Sequence, residues 1–331
     1  MVRPFQESAE VACRGYSHWL QRAMVDFGAD AAFVGAAKKL KEHYGIDVPI
    51  DKVRTVTQQH GESILSHTPL DTVMPERPGV DQLIAELDGS MIPEVETALL
   101  AEGAEKIDRR KTRKVGWKEA RLCLVHPPGS VTPVFGATLG EPDEAGQQLM
   151  HCAIQASAGI HTKFHCVGDG ASWIANQVEQ QFGSHGHYLI DLYHLCEYLA
   201  PAAERIAGQQ KSAWIEQQKQ KLKQNQTDEV LASLRPFLEN DTVADTDAPV
   251  RACHRYMTNR PGQFDYQTAL QAGLPIGSGE IESAHRYIIQ ARLKLAGAWW
   301  KRDNAAKMLT LRVARANSHW NSYWQDQRRA A

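Results

Sequence analysis

The sequence predicts an α/β protein: a mixed β-sheet with an all-helical insertion and an N-terminal helical segment. Three observations predict this class. Apolar residues recur at helical spacing near the N-terminus, and short apolar runs alternate with helical segments from residue 80 to residue 199. A long polar helical stretch then follows up to about residue 270. The chain has 331 residues, of which 43% are apolar and 23% charged, and this composition is typical of a globular protein.

Composition also excludes several classes of protein. No run of 18 apolar residues is present, which argues against a transmembrane helix. The first residues lack the apolar stretch of a signal peptide, so we expect a cytoplasmic protein. The 6 cysteines form no CxxC pair, which argues against a disulfide framework and against a thiolate zinc site.

Residues 1–66 are predicted to form a helical, helix-turn-helix-like DNA-binding segment. Apolar residues at helical spacing indicate a first helix, which Gly45 would end, and Asp51 can cap a second. The second helix would point Lys52 and Arg54 outward, where a recognition helix contacts DNA. Any antiparallel helix pair gives a similar pattern, and this alternative stays open.

Residues 80–199 are predicted to form the first part of the catalytic core. The predicted strands cover residues 82–89, 115–125, 131–139, 164–170 and 187–192. Helices are predicted over residues 141–159 and 171–182, and another from about Tyr193. This order of elements is that of an RNase H-like domain. Residues 200–270 are then a helical insertion, and residues 271–331 complete the core with a helix bearing a glutamate and with basic helices.

Two aspartates stand at the ends of predicted strands. Asp88 and Asp169 are each followed by glycine, which lets a ligand approach the backbone closely. A third carboxylate could come from Glu280 or Glu282, and helix geometry does not choose between them. Three such carboxylates suit two Mg²⁺ or Mn²⁺ ions. The alternative is that Asp-Gly pairs are ordinary turn residues.

Charge is segregated along the chain. Residues 105–121 carry a net charge of +5 and residues 281–331 of +7, whereas residues 141–200 carry −6. Basic blocks beside an acidic centre suit a protein that binds a polyanion, although solvated helix faces could give the same asymmetry. The predicted DNA contacts in these blocks are Arg109, Arg110, Lys111, Arg113, Lys114, Arg286, Arg292, Lys294, Lys301 and Arg302.

The tryptophans have two interpretations. Trp173 follows Asp169 by one helical turn and could stack on an unpaired base of bound DNA or belong to the core. The tryptophans of the basic C-terminal region are expected mainly in the core: Trp299, Trp300, Trp320 and Trp324.

The sequence resembles the DDE transposases of bacterial insertion sequences, in particular the ISKra-type group, which is related to the Mutator-like and hAT transposases. The segments that carry the resemblance are Leu87-Asp88-Gly89, Gly168-Asp169-Gly170-Ala171-Ser172-Trp173-Ile174, Asp191-Leu192-Tyr193-His194, residues 273–279 with Glu282-Ser283-Ala284, and the tail from Ile289 to Trp324 with Arg292-Leu293-Lys294. The resemblance extends over most of residues 80–331.

This resemblance implies an RNase H-like core in which Asp88, Asp169 and Glu282 ligate two metal ions. Glu282 is favoured over Glu280 because the Glu-Ser pair is the one typical of the family. Asp191 and His194 match the C/D-x-x-H motif, which by resemblance lies beside the metal site and helps to place the DNA.

The resemblance further implies a function. We expect a transposase that hydrolyses a phosphodiester at an element's end and transfers the freed 3′-hydroxyl to target DNA. Its partners would be double-stranded DNA of the terminal repeats and of the target, bound by a homo-oligomer associated with the nucleoid. One alternative is a truncated, non-catalytic relic that binds element ends. Another is an RNase H-like nuclease outside transposition.

Overall fold

The computed structural model describes residues 11–12, 15–67, 69–97 and 113–329. Its centre is a five-stranded mixed sheet with the order β3-β2-β1-β4-β5. β1 pairs antiparallel with β2 and parallel with β4, β3 pairs antiparallel with β2, and β5 pairs parallel with β4. The strands are β1 (Gln82–Thr97), β2 (Arg113–His126), β3 (Val134–Thr138), β4 (Lys163–Gly168) and β5 (Gly186–Ile190). Two-residue strands, Val11–Ala12 and Tyr16–Ser17, pair separately.

Thirteen α-helices of six or more residues surround the sheet in the described part of the chain. They are α1 (His18–Asp30), α2 (Phe33–Tyr44), α3 (Ile50–His67), α4 (Pro142–Gln155), α5 (Ser172–Phe182), α6 (Leu192–Ala207), α7 (Lys211–Lys223), α8 (Thr227–Leu234), α9 (Pro249–Thr258), α10 (Tyr266–Gln271), α11 (Gly279–Ala284), α12 (Arg302–Ala316) and α13 (Trp320–Arg329). α11 continues through a π-helical turn (His285–Gln290) into a last helical turn (Ala291–Leu293). Within the described ranges, no helix combines the length and the apolar composition that a membrane span requires.

The ends of the elements follow local sequence signals. Gly45 ends α2 in the left-handed region at a φ of 68°, as the sequence predicts. The Ser17 side chain accepts a hydrogen bond from the backbone N–H of Leu20 and so caps α1. Pro142 opens α4, where its missing N–H costs no helical hydrogen bond.

The five strands lie where the sequence predicts them, but β1 is longer than expected. The predicted strand ends at Gly89, whereas β1 continues to Thr97 and pairs with β2 over its whole upper part. Pro93 is tolerated there because β4 pairs with β1 only as far as Glu86, so no strand requires a Pro93 N–H. Asp88 therefore lies within a long strand and not at its end, which corrects the prediction.

Each face of the sheet is covered by its own core. On one face, Leu87 and Cys166 pack with Leu149 of α4 and Ile174 of α5, and this core extends into α6–α10. On the other face, Leu122 and other strand residues pack with α1–α3 and α11–α13. The molecule therefore has helical layers on both sides of the sheet.

The N-terminal helices share a core with the C-terminal ones. Val53 and Val56 of α3 are fully buried, as predicted, and they lie in the same cluster as Leu309 of α12. The two helices meet at Gly61, where an added Cβ would lie 2.7 Å from the Lys307 carbonyl oxygen. Residues 15–67 thus pack against the end of the chain.

Candidate active site

Three aspartates lie at the same level on the three parallel strands. Glu86 pairs with Val167, so two residues further on Asp88 is level with Asp169. Gly168 pairs with Ile190 in the same way, so Asp169 is level with Asp191. Residues at one level of neighbouring parallel strands share a face, and the strands are about 4.8 Å apart. The register therefore aligns two of the predicted catalytic aspartates and the aspartate of the C/D-x-x-H motif in one row.

Asp88 is partly exposed and contacts one buried histidine. Its Oδ2 lies 3.2 Å from Nε2 of His285, a residue that is 3% exposed. His285 follows directly after α11, which packs over β1 on this face of the sheet. His285 could not be predicted from the sequence, because a single histidine within an apolar helical stripe carries no distinctive signal.

Asp169 lies in a turn held by the helical insertion. Its Oδ1 accepts a hydrogen bond from the Ala171 N–H (2.8 Å). Its backbone carbonyl accepts one from the Tyr256 hydroxyl (2.6 Å), and the Gly170 carbonyl accepts one from Arg260 Nε (2.7 Å). Tyr256 belongs to α9 and Arg260 follows it closely, so the insertion fixes the backbone beside Asp169. Neither Tyr256 nor Arg260 could be predicted from the sequence, because their hydrogen-bond partners lie about 90 positions away.

The same turn requires a glycine at position 170. Gly170 has a φ of +83°, and an added Cβ would lie 2.3 Å from the Tyr256 hydroxyl oxygen. The Gly170 N–H donates to the Tyr188 hydroxyl (3.0 Å). Arg260 lies over the Tyr256 ring at 4.0 Å and completes this contact. The glycine after Asp169 thus serves close packing against α9.

Asp191 is buried and its oxygens are fully engaged. Oδ1 accepts hydrogen bonds from the N–H groups of Tyr193 (2.6 Å) and His194 (3.2 Å), which caps α6. Oδ2 accepts from both the N–H (2.8 Å) and the hydroxyl (2.6 Å) of Ser278. The His194 ring lies 3.4 Å from a carboxylate oxygen of Glu197 and against Tyr198. Asp191 therefore connects the end of β5 to the segment that leads into α11.

The two glutamates of α11 have different surroundings. Oε2 of Glu280 lies 3.1 Å from Nε2 of His126, a buried residue at the end of β2. Glu282 is exposed and forms no ion pair with another described residue. Glu282 also precedes His285 by three positions, so both lie on one side of the helix. Of the two candidates, Glu282 is therefore the one whose carboxylate is not engaged by a histidine.

A fourth acidic residue, Glu86, lies beneath this helix. It is 1% exposed, and its Oε2 accepts a hydrogen bond from the Ile281 N–H (2.8 Å). Burial, together with the charges of Glu280, Asp191 and Glu282, raises the pKa of Glu86 to about 8, against an ordinary value of 4.5. Glu86 was not among the predicted site residues, although a single charged residue in the apolar run 83–87 is a signal that points to it.

The described residues do not form a closed metal site. No group of three or more His, Cys, Asp or Glu side chains within the described ranges is arranged so that it could hold a metal ion. The strand register aligns Asp88 with Asp169, and Glu282 lies on the helix above β1. The structure therefore places the three predicted ligands in one region without assembling them around a common point.

The predicted DNA contacts divide into several groups. Arg109, Arg110 and Lys111 lie outside the described residues. Most of the others are on the surface, with the side chain exposed or nearly so: Lys52, Arg54, Arg113, Lys114, Arg286, Lys301 and Arg302. Lys294 Nζ donates to the Ser90 hydroxyl (2.7 Å), two positions beyond Asp88 on the same face of β1. This places a cation close to the candidate active site.

Arg292 is not a DNA contact, and this prediction is corrected. It is 2% exposed, and its Nε donates to the Gly28 carbonyl (3.0 Å). Its guanidinium lies between the rings of Phe33 (4.8 Å) and Trp300 (4.9 Å). Burial lowers the pKa of Arg292 to about 10. The residue stabilises the core between α1, α2 and the C-terminal segment.

The tryptophans separate into core and surface residues. Trp300, Trp320 and Trp324 are buried, as expected. Trp299 is exposed, and the expectation that it belongs to the core is therefore wrong. Trp173 is half-buried, and the Arg121 guanidinium lies 5.3 Å from its ring, so it borders the core beside the Asp169 turn.

Comparison with known proteins gives one result for the second half of the chain. No curated protein sequence matches the chain. The sequence model of the uncharacterised protein family UPF0236 matches residues 158–328, which include the Asp169 turn, Asp191, the helical insertion and α11. Because this match covers slightly more than half of the 331 residues, the chain belongs to the UPF0236 family.

Proposed function

We propose that the chain is a DDE transposase with an RNase H-like core, which cleaves phosphodiesters at the ends of an insertion sequence and transfers the strands to target DNA. One observation carries the proposal: Asp88 and Asp169 are level on neighbouring parallel strands, below the helix that bears Glu282. The strand order also supports it, since an antiparallel meander followed by two strands parallel to β1 agrees with the fold that the resemblance implies.

The donor set suits a divalent cation. Carboxylate oxygens are the ligands that Mg²⁺ and Mn²⁺ prefer. Negative charge is concentrated here, and no lysine or arginine in the described part of the chain forms an ion pair with Asp88, Asp169 or Glu282. These three residues would hold the ions. When bound, the ions would activate water and stabilise the charge that develops on the phosphoryl group.

The residues around the carboxylates act as positioning residues in this proposal. His285 holds Asp88 on the strand, and Tyr256 holds the Asp169 turn. Asp191 binds Ser278 and so fixes the start of the helix that bears Glu282. Each predicted ligand is thus held by a contact from a different part of the chain, which limits the motion needed to assemble the site.

The surface beside the row of aspartates supports DNA as the substrate. Lys294 lies at Ser90, and Arg286 is exposed one position after His285. Cations at this position can bind the phosphates that flank a cleaved bond. The carboxylates would then act on the backbone that these residues hold.

A non-catalytic relic that binds element ends is the second candidate. The observation that favours it is that the side chains of Asp88, Asp169 and Glu282 do not form a metal-binding group within the described residues. Such a protein would bind the same DNA without cutting it.

A cleavage assay separates the candidates. The full chain is incubated in Mg²⁺ with a plasmid carrying the two genomic segments that flank its coding sequence. Nicks and the joining of 3′-ends to a second plasmid are then measured. We expect Asp169→Asn and Glu282→Gln to abolish cleavage and joining while DNA binding in a gel-shift assay is retained, because both lose a metal-binding oxygen. Glu280→Gln should retain most of the activity.

Glu179→Gln on the exposed face of α5 is the matched control, and it should behave as the unmodified chain does. Cleavage that persists in Asp169→Asn would refute the two-metal mechanism. An unmodified chain that binds the segments but never cuts them, in Mg²⁺ or Mn²⁺, would establish the relic. Cutting without joining would indicate a nuclease.

A further inference from the structure

The upper parts of β1 and β2 form a two-stranded arm, residues 90–97 and 113–120. Its pairs run from Ser90 opposite Ala120 to Thr97 opposite Arg113. β4 pairs with β1 only up to Glu86, and β3 begins to pair with β2 only at residue 121. The arm therefore extends beyond the rest of the sheet.

One face of the arm is covered by the chain itself. Ile92 and Ala120 are fully buried, and Glu94 is 5% exposed. Trp300 lies beside them. Its backbone N–H donates to the Pro93 carbonyl (3.1 Å), and its backbone carbonyl accepts from the Val95 N–H (2.8 Å). These two hydrogen bonds attach the segment around Trp300 to β1 at a fixed position.

The opposite face of the arm is open and apolar. Met91, Val115 and Trp117 project from it, and Trp117 is 57% exposed. Trp299, 39% exposed, lies beside Trp117 with a ring-centroid distance of 6.4 Å and an interplanar angle of 59°. Because Trp300 is bonded to β1, Trp299 is held next to Trp117 before any ligand binds. The two indoles thus form a preformed aromatic surface.

Positive charge lies beside these indoles. Arg113, opposite Thr97, lies on this face of the arm and Lys301 follows Trp299 by two positions; both are exposed, and neither forms an ion pair with another residue in the described ranges. Lys114 and Lys118, opposite Glu96 and Ile92, project from the covered face. The Glu119 carboxylate on the same face as the indoles is already bound by Arg121 (2.5 Å). A ligand that covers the indoles would therefore meet unpaired positive charge.

We propose that Trp117 and Trp299 bind unpaired bases of single-stranded DNA, with the cations beside them bound to its phosphates. Stacking of bases on aromatic rings within a basic surface is the usual means of binding single strands. The choice of DNA rests on the function proposed above. A second copy of the chain fits less well, because the exposed parts of the four apolar side chains amount to roughly 400 Å², about half of what one partner buries in a stable interface.

The arm is separate from the candidate active site. Trp117 lies opposite Pro93, five positions beyond Asp88, which is about 17 Å along β1. Substitutions at the indoles therefore leave the carboxylates and their contacts in place.

The test measures binding of the full chain to a fluorescent 12-nucleotide oligothymidylate and to a blunt duplex of the same length, by anisotropy without metal. We expect the unmodified chain and Asp169→Asn to bind the oligothymidylate equally. The double variant Trp117→Ala/Trp299→Ala should bind it about ten- to a hundredfold more weakly, since each lost stacking contact weakens binding markedly. Affinity for the duplex should remain within about twofold, because stacking requires an unpaired base.

Two controls accompany the double variant. Trp19→Ala removes an exposed tryptophan of α1 and should leave oligothymidylate binding unchanged. Trp117→Phe keeps an aromatic ring and should retain most of the affinity. If the double variant fails to fold, the single variant Trp117→Ala takes its place and should bind the oligothymidylate about tenfold more weakly than Trp117→Phe.

Three outcomes would overturn the proposal. The first is that the unmodified chain does not bind the oligothymidylate. The second is that Trp117→Phe, Trp117→Ala/Trp299→Ala and Trp19→Ala all bind it equally. The third is that the double variant changes from dimer to monomer in sedimentation without any change in binding. The last would assign the face to self-association. Metal-dependent cleavage is measured in a separate assay. Failure of the proposed catalytic function would therefore leave the oligothymidylate binding interpretable, and failure of the binding proposal would leave the cleavage result interpretable.

Discussion

Replacing Glu86 by glutamine tests the electrostatics beneath α11. The buried Glu86 carboxyl has a pKa of about 8, mainly through burial and further through Glu280, Asp191 and Glu282. In the unfolded chain its pKa returns to 4.5. Between these values the folded chain holds one more proton than the unfolded chain. The free energy of unfolding must therefore fall as the pH rises.

The size of the effect follows from the pKa difference. One pKa unit corresponds to about 1.4 kcal/mol, so the Glu86 contribution falls by up to about 1.4 kcal/mol per pH unit between about pH 5 and pH 8. Across this interval the loss is roughly 3 to 4 kcal/mol. Glutamine keeps an oxygen that can accept from the Ile281 N–H and carries no charge. The variant should therefore gain stability relative to the unmodified chain as the pH rises.

The assay is urea unfolding of both chains at several pH values from about 5.5 to 8.5. We expect the difference in unfolding free energy to grow with pH and to level off above pH 8. Glu179→Gln, at an exposed position of α5, should differ from the unmodified chain by a constant amount. If the difference for Glu86→Gln is the same at both ends of the range, the carboxyl is not buried among like charges, and the description of this region is wrong.

Three further predictions concern other parts of the fold. Burial lowers the pKa of His60 to about 4, against an ordinary value of 6.5. Between pH 6.5 and pH 4 the unfolded chain therefore binds a proton at this residue that the folded chain does not bind. The free energy of unfolding, measured in urea, should fall by about 3 kcal/mol as the pH is lowered across this interval. His60→Gln should remove most of this pH dependence; an unchanged profile would contradict it. Gly61→Ala should lower the free energy of unfolding by about 2 to 3 kcal/mol, because its Cβ would overlap the Lys307 carbonyl. The Cβ of Gly35→Ala has space beside α2, so this variant should raise the free energy of unfolding by up to about 1 kcal/mol. Equal thermal shifts for the two glycine variants would refute the close approach of α3 and α12. Tyr256→Phe removes the hydrogen bond to the Asp169 carbonyl and should lower the free energy of unfolding by about 1 kcal/mol. Cleavage should be slower and DNA affinity unchanged. Unchanged cleavage would show that this contact has no positioning role.

The order of the strands and helices could be predicted from sequence because each element carries a local signal. The upper half of β1 could not, because its Pro93 and its charged residues are typical of a loop. That segment is a strand because β2 pairs with one side of it and Trp300 bonds to the other. Both partners are distant in sequence, so no local pattern contains this information.

The candidate site was predictable only in part, for a related reason. Asp88 and Asp169 were recognised from their positions in predicted strands, and the register between β1 and β4 then aligned them. The sequence could not show that Arg292 is buried, since its environment comes from Phe33 and Trp300 in different parts of the chain. Burial of a charged residue depends on tertiary packing, and a basic residue in a basic segment looks like a surface residue until its neighbours are known.

The carboxylate of Asp191 has a topological consequence. The chain leaves the sheet at Leu192, whose N–H donates to the Ile276 carbonyl (2.9 Å), and it comes back at Ser278, which the same carboxylate binds. The segment of more than 80 residues between Leu192 and Ser278 therefore begins and ends at the same point of the sheet, beside Asp191. Because α6–α10 also form part of the core on one face of the sheet, we expect relatives to change its length only in segments outside that core, with a hydroxyl group from α9 still reaching the turn after β4.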